Sequence, residues 1–230
     1  MVIAGIAAVV ASYLFGSLPH LFLLAKLRGI DLNGDFHQDL WNRGGKVLGI
    51  AGVTGEFIKG IVPVIVARAL GFDIAFIALA GLAAVCGQMW PVFNRFNGEK
   101  GNSIAIAMSI TLIPVPALVA VISVIVAVVV RTAPRIFAGS ASGNRSPVIG
   151  GPFSRSLPLG MLAFFIILPF SAWGFGEAAA VIWCCAALFL FIMLRRLTAG
   201  LVGDLKSGSN VMAIVGRRLL YDRAAVDWRR

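Results

Sequence analysis

Long apolar runs alternate along this chain with short polar, mostly basic segments, and the run lengths set the first expectation. Stretches able to cross a hydrocarbon core of about 30 Å extend from Val2 to Leu24, Val47 to Leu70, Ile74 to Trp90, Ser103 to Val130, Leu157 to Trp173 and Ala178 to Leu194. Within the fourth, the tetrapeptide IPVP sets Pro114 and Pro116 near the middle. Proline removes a backbone donor and biases the preceding residue away from helical geometry. That run is therefore either one kinked span or two short helices that double back.

The basic residues choose between these, because cytoplasmic loops collect Lys and Arg. If the split run doubles back, every Lys and Arg except Lys59 and Arg68 falls on one side; if it crosses once, the cations divide between both sides. The expectation is an all-α, polytopic transmembrane helical bundle of about seven spans, with the N-terminus outside and the C-terminus cytoplasmic. Each half of the split run has only about 12 to 15 residues, about 18 to 22 Å of helix. Such helices need a thinned bilayer or shielding by neighbours. The first run lacks a preceding Lys or Arg and is too long for a signal-peptide core, so it is expected to stay as a span.

Composition agrees with membrane insertion: 59% of residues are hydrophobic and 13% charged, against about 25% charged in soluble domains. Mean hydropathy is +0.93. The net charge of +10 is already explained by basic loops, so no nucleic-acid partner is invoked. Cys86, Cys184 and Cys185 all sit inside apolar runs without metal-ligand or disulfide spacing, which suggests packing residues and neither a metal nor a cofactor. Two parts are expected: a transmembrane domain over residues 1–200 and a basic amphipathic cytoplasmic tail over 201–230. The tail alternates apolar residues with arginines and carries Trp228, the pattern of a helix on an anionic membrane surface or of a partner-bound tail. The small, Gly/Pro-rich segment from Ala138 to Ser156 reads as a mobile loop.

Polar residues inside the apolar runs are the candidates for chemistry. In GEFIKG, Glu56 and Lys59 lie three residues apart on one helix face. Each costs about 2.5 to 3.5 kcal/mol at the bilayer centre on insertion scales, so they are expected to pair with each other, as a packing device or as part of a polar site. The stretch GSLPH combines close-packing residues Gly16 and Ser17 with a kink at Pro19 and a polar His20, which reads as a hydrogen-bonded packing residue or as a functional one. His37, among Asp31, Asp35 and Asp39, is expected to be solvated.

The segment FNRFNGEKGNS interrupts two apolar runs with Gly98 and Gly101 bracketing Lys100. Glycines let amides turn toward an anion, lysine supplies charge, and the next helix N-terminus adds its dipole. This pattern fits a phosphate cradle and also fits an ordinary turn.

The order of these pieces resembles the bacterial acyl-phosphate:glycerol-3-phosphate acyltransferases, small seven-span enzymes that make lysophosphatidic acid. Their Gly-Ser-Ile-Pro is matched by Gly16, Ser17, Leu18 and Pro19, and their Asp-x-x-Lys-Gly by Glu56, Lys59 and Gly60. Their third block is matched by Gly87, Pro91, Val92, Phe93, Phe96, Gly98, Lys100 and Gly101, and their terminal Arg-Leu-x-Ala-Gly by Arg196, Leu197, Ala199 and Gly200. The departures are equally definite. Gln88 stands at the third-block His, Glu99 at its second Gly, Asn102 and Ser103 at its Val-Ala, and Met193 at the Asn before the terminal Arg-Leu. Arg131 stands where the family has an Arg, with Pro134 in place of a following Ser, and the first loop is acidic where the family has a Ser/Gly/Asn phosphate-binding segment.

What the resemblance implies is transfer of an acyl group from acyl phosphate to glycerol-3-phosphate in phospholipid synthesis, in the bacterial cytoplasmic membrane. Gly98, Lys100 and Gly101 would hold a phosphate with Arg43 or Arg131 as a second cation, and Ser17, Glu56, Lys59 and Gln88 would border the pocket. No nucleophile with an adjacent base is visible. The alternative is an inactive relative serving as a lipid-contacting subunit of a membrane complex, an expectation raised by the missing loop, Gln88 and Met193. A transporter would need facing charges from several helices, and only Glu56 and Lys59 qualify.

Overall fold

The computed structural model describes residues 2–31, 36–142, 156–206 and 210–222. Trp228, Asp35 and most of the Ala138 to Ser156 segment lie outside them. Among the described residues every regular element is helical: α1 (Val2–Gly16), α2 (His20–Lys26), α3 (Phe36–Gly44), α4 (Lys46–Ala69), α5 (Ile74–Met89), α6 (Asn102–Leu112), α7 (Pro114–Ser142), α8 (Ser156–Gly174), α9 (Ala179–Thr198), α10 (Leu201–Lys206) and α11 (Val211–Tyr221). Among the described residues six stretches are long and apolar enough to cross a membrane, with α1 and α2 together forming the first. The protein is a multi-pass integral membrane bundle. The eleven-residue α6 rises only about 16 Å and is too short to cross alone.

Close contacts fix the direction of each helix. A methyl group added at Gly5 would strike Phe76 and one at Gly16 would strike Ala84, so α1 and α5 run parallel. Gly60 faces Ile104 while Arg68 reaches the carbonyls of Thr111 and Leu112, so α4 and α6 run parallel to each other. Gly81 meets Met108 and Gly101 meets Met89, which makes α6 antiparallel to α5. The Ser171 hydroxyl donates to the Pro116 carbonyl at 3.1 Å and Gly160 touches Ser123 and Ala127, so α7 and α8 are antiparallel. Cys184 packs on the Ala78 carbonyl and Arg195 on that of Gly98, so α9 runs with α5.

It follows that α6 and α7 run in opposite directions. The reversal sits at Ile113, whose φ of −137° and ψ of 78° leave the helical region immediately before Pro114, as the proline ring requires. One end of the bundle then carries Lys26, Lys46, Arg43, Lys100, Arg131, Arg195 and Arg196, and the other carries Arg68. The shared core is formed by α4 through α9, with Val64, Met89, Ile104, Met108, Phe164, Leu168, Leu188 and Ile192 all buried. α6 lies among α4, α5, α7 and α9, which shields a helix too short to meet both lipid surfaces.

Helices approach closely where glycine permits it. A Cβ on Gly16 would lie 2.1 Å from the Ala84 carbonyl oxygen, and one on Gly87 would lie 2.1 Å from that of Tyr13. These reciprocal glycines bring α1 and α5 into backbone contact. Beyond residue 200, α11 folds back onto α8 and α9. Arg218, in α11, is 2% exposed and donates to Asp204 of α10 at 2.5 and 2.8 Å, and also to carbonyls at the end of α9.

Candidate active site

The site is organised by a helix break. Pro19 cannot donate to the helix that precedes it, so α1 stops at Gly16 and restarts as α2 at His20. The break takes the carbonyls of Gly16 and Leu18 out of the α1 ladder; Gly16 is buried, and the Leu18 carbonyl accepts from the His20 amide at 2.9 Å. The Lys59 ammonium, 4% exposed, donates to both, at 2.9 Å for Gly16. Its remaining donation goes to Gln88 Oε1 at 2.7 Å. Gln88 Nε2 in turn donates to Glu56 Oε1 at 2.9 Å, and His37 Nε2 lies 2.8 Å from the same oxygen. Ser103 is a further hydrogen-bond partner of the Glu56 carboxylate.

Two sequence expectations are corrected here. Glu56 and Lys59 do not bond each other; Gln88 stands between them and spends both ends of its amide in linking them. The reason is direction: the freed carbonyls of the α1–α2 break draw the lysine toward α1, while α3 and α6 draw the carboxylate elsewhere. His37 is not simply solvated, because α3 lays it against α4 and onto Glu56. The pairing of a carboxylate with the imidazole gave no sequence signal, since the intervening loop length says nothing about where α3 docks.

Beside this network lies a small cleft of about 30 Å³. Its wall includes Ser17, His20, Phe36, Gln88, Gly98 and Glu99. Ser17 and Gln88 border it, whereas Glu56 and Lys59 stand behind the wall. The Ser17 hydroxyl donates to the Tyr13 carbonyl at 2.9 Å. The glycine loop is folded down onto the end of α5: the Glu99 amide donates to the Gln88 carbonyl at 3.2 Å, and a Cβ on Gly98 would lie 2.2 Å from that oxygen. Gly101, with φ of +77°, forms the N-terminal cap of α6. That left-handed conformation is one glycine adopts freely. Arg95 and Phe96 also have positive φ, 50° and 60°, which for side-chain-bearing residues costs about 1 to 2 kcal/mol each.

Lys100 and the two glycines therefore lie together, but the cradle is covered. Lys100 Nζ is 3.1 Å from Asp222 Oδ2 and 3.0 Å from its carbonyl, although the lysine side chain remains 43% exposed. The Gly98 carbonyl accepts from Arg195, which is 7% exposed and whose Nε is buried without a partner. Arg43 is elsewhere, half-exposed on α3, donating to the Asp31 carbonyl and 3.9 Å from Asp39. Arg131 extends from α7, which packs mainly on α8. The cation at the loop is thus Arg195, which sequence reading passed over as part of a positive helix end. Its position directly before the matched Arg196 was the available signal.

An all-helical membrane bundle with a glycine loop, a buried ion network and a cleft at its basic end defines a polytopic membrane protein with a polar site. A family model described as glycerol-3-phosphate acyltransferase matches residues 6–202, and the chain belongs to this family. It is 30% identical over 220 residues to glycerol-3-phosphate acyltransferase 4 of Dehalococcoides mccartyi, covering 93% of this chain and 86% of that protein. To glycerol-3-phosphate acyltransferase 5 of another strain of that species it is 31% identical over 197 residues, covering 83% and 76%. The fold is shared with crystal structures of PlsY (YgiH), an integral membrane glycerol 3-phosphate acyltransferase. The lysophosphatidic acid form superposes with a TM-score of 0.66 at 24% identity over 89% of this chain and 93% of that one. The glycerol 3-phosphate form gives 0.65 at 22% identity, over 92% and 98%.

Proposed function

We propose that this protein transfers an acyl group from acyl phosphate to a hydroxyl of glycerol-3-phosphate, releasing phosphate and lysophosphatidic acid at the cytoplasmic face of a bacterial inner membrane. The observation that carries this reading is the convergence, on one cleft, of Ser17, Gln88 and the first half of the glycine loop, Gly98 and Glu99, three separated segments that all fall within the family match. In this reading the chain makes seven passes, α6 and α7 forming two of them, with the N-terminus outside and the basic end in the cytoplasm. Residues 201–230 then lie on the cytoplasmic side, with α10 and α11 docked against the transmembrane part.

Lys100, the amides of Gly98 and Gly101 and the N-terminus of α6 bind a phosphate group, and Arg195 adds charge from beneath the loop. Arg43 and Arg131, at the same end of the bundle, draw anionic substrates toward it through the field of the basic surface. Glu56, Lys59 and Gln88 keep the α1–α2 break rigid, so that Ser17 and His20 face the incoming substrates. An acyl phosphate is already activated, so positioning and charge stabilisation carry much of the rate. The cleft as it stands has room for little more than a water, so substrate entry requires the Asp222 contact or the α3 segment to give way. Membrane lipids surround the bundle and receive the product. Neither the fold nor the relatives support the alternative of an inactive structural subunit.

The test is direct. Purified full-length protein in lipid vesicles, given palmitoyl phosphate and glycerol-3-phosphate, is expected to form lysophosphatidic acid, and Lys100→Ala is expected to lower that rate at least a hundredfold. Wild-type protein without product would overturn the reading.

A further inference from the structure

We propose that the C-terminal end of α11 is an autoinhibitory cap, which lays Asp222 on Lys100 in the place of a substrate phosphate and frays away when phosphate binds. The proposal rests on the acyl-transfer reading above, in which Lys100 holds that phosphate. The family match ends at residue 202, so α11 and Asp222 lie beyond it. The helix is nevertheless firmly docked against α8 and α9. Ile214 and Arg218, one turn apart on its inner face, are 1% and 2% exposed. Arg218 donates to Asp204 and to the Ala199 carbonyl, and Arg196 reaches back from α9 to donate to the Leu219 carbonyl at 3.1 Å.

This clamp holds the helix by itself, so docking does not explain what the end of the helix does. Asp222 caps α11 in the left-handed conformation, with φ of 54° and ψ of 38°, and its amide donates to the Arg218 carbonyl at 3.1 Å. Glycine is the common residue at such a cap, because it has no Cβ to crowd. An aspartate there sends two acceptors to one ammonium: Lys100 Nζ lies 3.0 Å from the Asp222 carbonyl and 3.1 Å from Oδ2. Arg196 attracts the same carboxylate, and the negative pole of the α11 dipole ends at this point. A carboxylate, a carbonyl and a helix C-terminus together offer the loop what a phosphate would, negative charge with several acceptor oxygens.

The contact is also weak enough to yield. The Lys100 side chain is 43% exposed, and a pair that exposed shifts an equilibrium by no more than about fivefold. A phosphate monoester carries a charge of about −1.5 to −2 near neutral pH and three acceptor oxygens, against one charge on the carboxylate. Phosphate therefore displaces Asp222 from Lys100, and the last turn of α11 leaves the loop while Arg218 keeps the rest of the helix in place.

Asp222→Gly is the informative variant, since glycine keeps the left-handed cap and removes only the carboxylate. Full-length Asp222→Gly in vesicles should melt no lower than wild type, and its KM for glycerol-3-phosphate or palmitoyl phosphate should fall about threefold or more with kcat within about twofold. The second measurement is independent of turnover. By linkage, what phosphate gains from displacing the cap, the cap loses to phosphate. Saturating inorganic phosphate should speed amide hydrogen exchange in residues 219–222 of the wild type about threefold or more, leaving α10 unchanged, and should do nothing in Lys100→Ala. Chloride at equal ionic strength is the control for screening. Exchange that ignores phosphate, or responds equally to chloride, overturns the proposal, as does an Asp222→Gly enzyme with both KM values unchanged or raised. If wild type is active and sensitive to Lys100→Ala while exchange ignores phosphate, only the cap falls. If wild type makes no product, the acyl-transfer reading falls, and phosphate-dependent exchange still decides whether an anion and Asp222 compete for Lys100.

Discussion

Replacing Lys59 with methionine tests the central network most severely. The ammonium is 4% exposed and makes three hydrogen bonds, to the Gly16 and Leu18 carbonyls and to Gln88 Oε1. Methionine fills similar volume but leaves the Gly16 carbonyl and the Gln88 amide oxygen without donors, and leaves the Leu18 carbonyl with the His20 amide alone. Removing one partner from a buried charged network costs about 3 to 5 kcal/mol, in line with three lost bonds to a charged donor at about 1.5 to 3 kcal/mol each, less what relaxation recovers. Thermal unfolding in detergent, followed by tryptophan fluorescence, should show a large fall in melting temperature for Lys59→Met. Because Gln88 separates the charges, the coupling between Lys59→Met and Glu56→Gln should exceed about 0.5 kcal/mol in the native background and disappear when Gln88 is leucine. A Lys59→Met protein as stable as wild type, or a coupling that survives Gln88→Leu, would refute the bridged arrangement.

Three further outcomes follow from the same contacts. Gly16→Ala places a methyl carbon 2.1 Å from the Ala84 carbonyl oxygen and should destabilise by about 1 to 3 kcal/mol or more while lowering activity through displacement of Ser17; Gly216→Ala, with nothing within 4 Å, should instead be neutral or slightly stabilising in the same melts. Asp204→Asn weakens the bond to buried Arg218, so limited proteolysis should cut the C-terminal segment at least tenfold faster than in wild type. Asp222→Asn removes the carboxylate at Lys100 and should lower KM for glycerol-3-phosphate or acyl phosphate severalfold with little change in stability, since the lysine is 43% exposed; unchanged KM values for both substrates would mean that Lys100 does not bind their phosphates.

The sequence by itself determined that this chain is a helical membrane protein, because no aqueous fold can hide so much apolar surface. Prolines 114 and 116 marked where a run must break, and the glycine loop stood out because polar, turn-forming residues are costly between apolar runs. The motif order also placed the family, since Gly16, Lys59 and Gly87 are needed where helices touch or buried carbonyls need a donor. Tertiary structure alone decided the partners. Whether Glu56 meets Lys59, Gln88 or His37 depends on helix rotation and on where α3 docks, and local pattern encodes neither. The same holds for the basic end: Arg43, Arg131 and Arg195 look alike in sequence, but only Arg195 is carried by a helix parallel to α5 that ends beneath the loop. Spacing along one helix is set by its 3.6-residue turn, whereas contacts between segments are set by packing that the whole chain must satisfy at once.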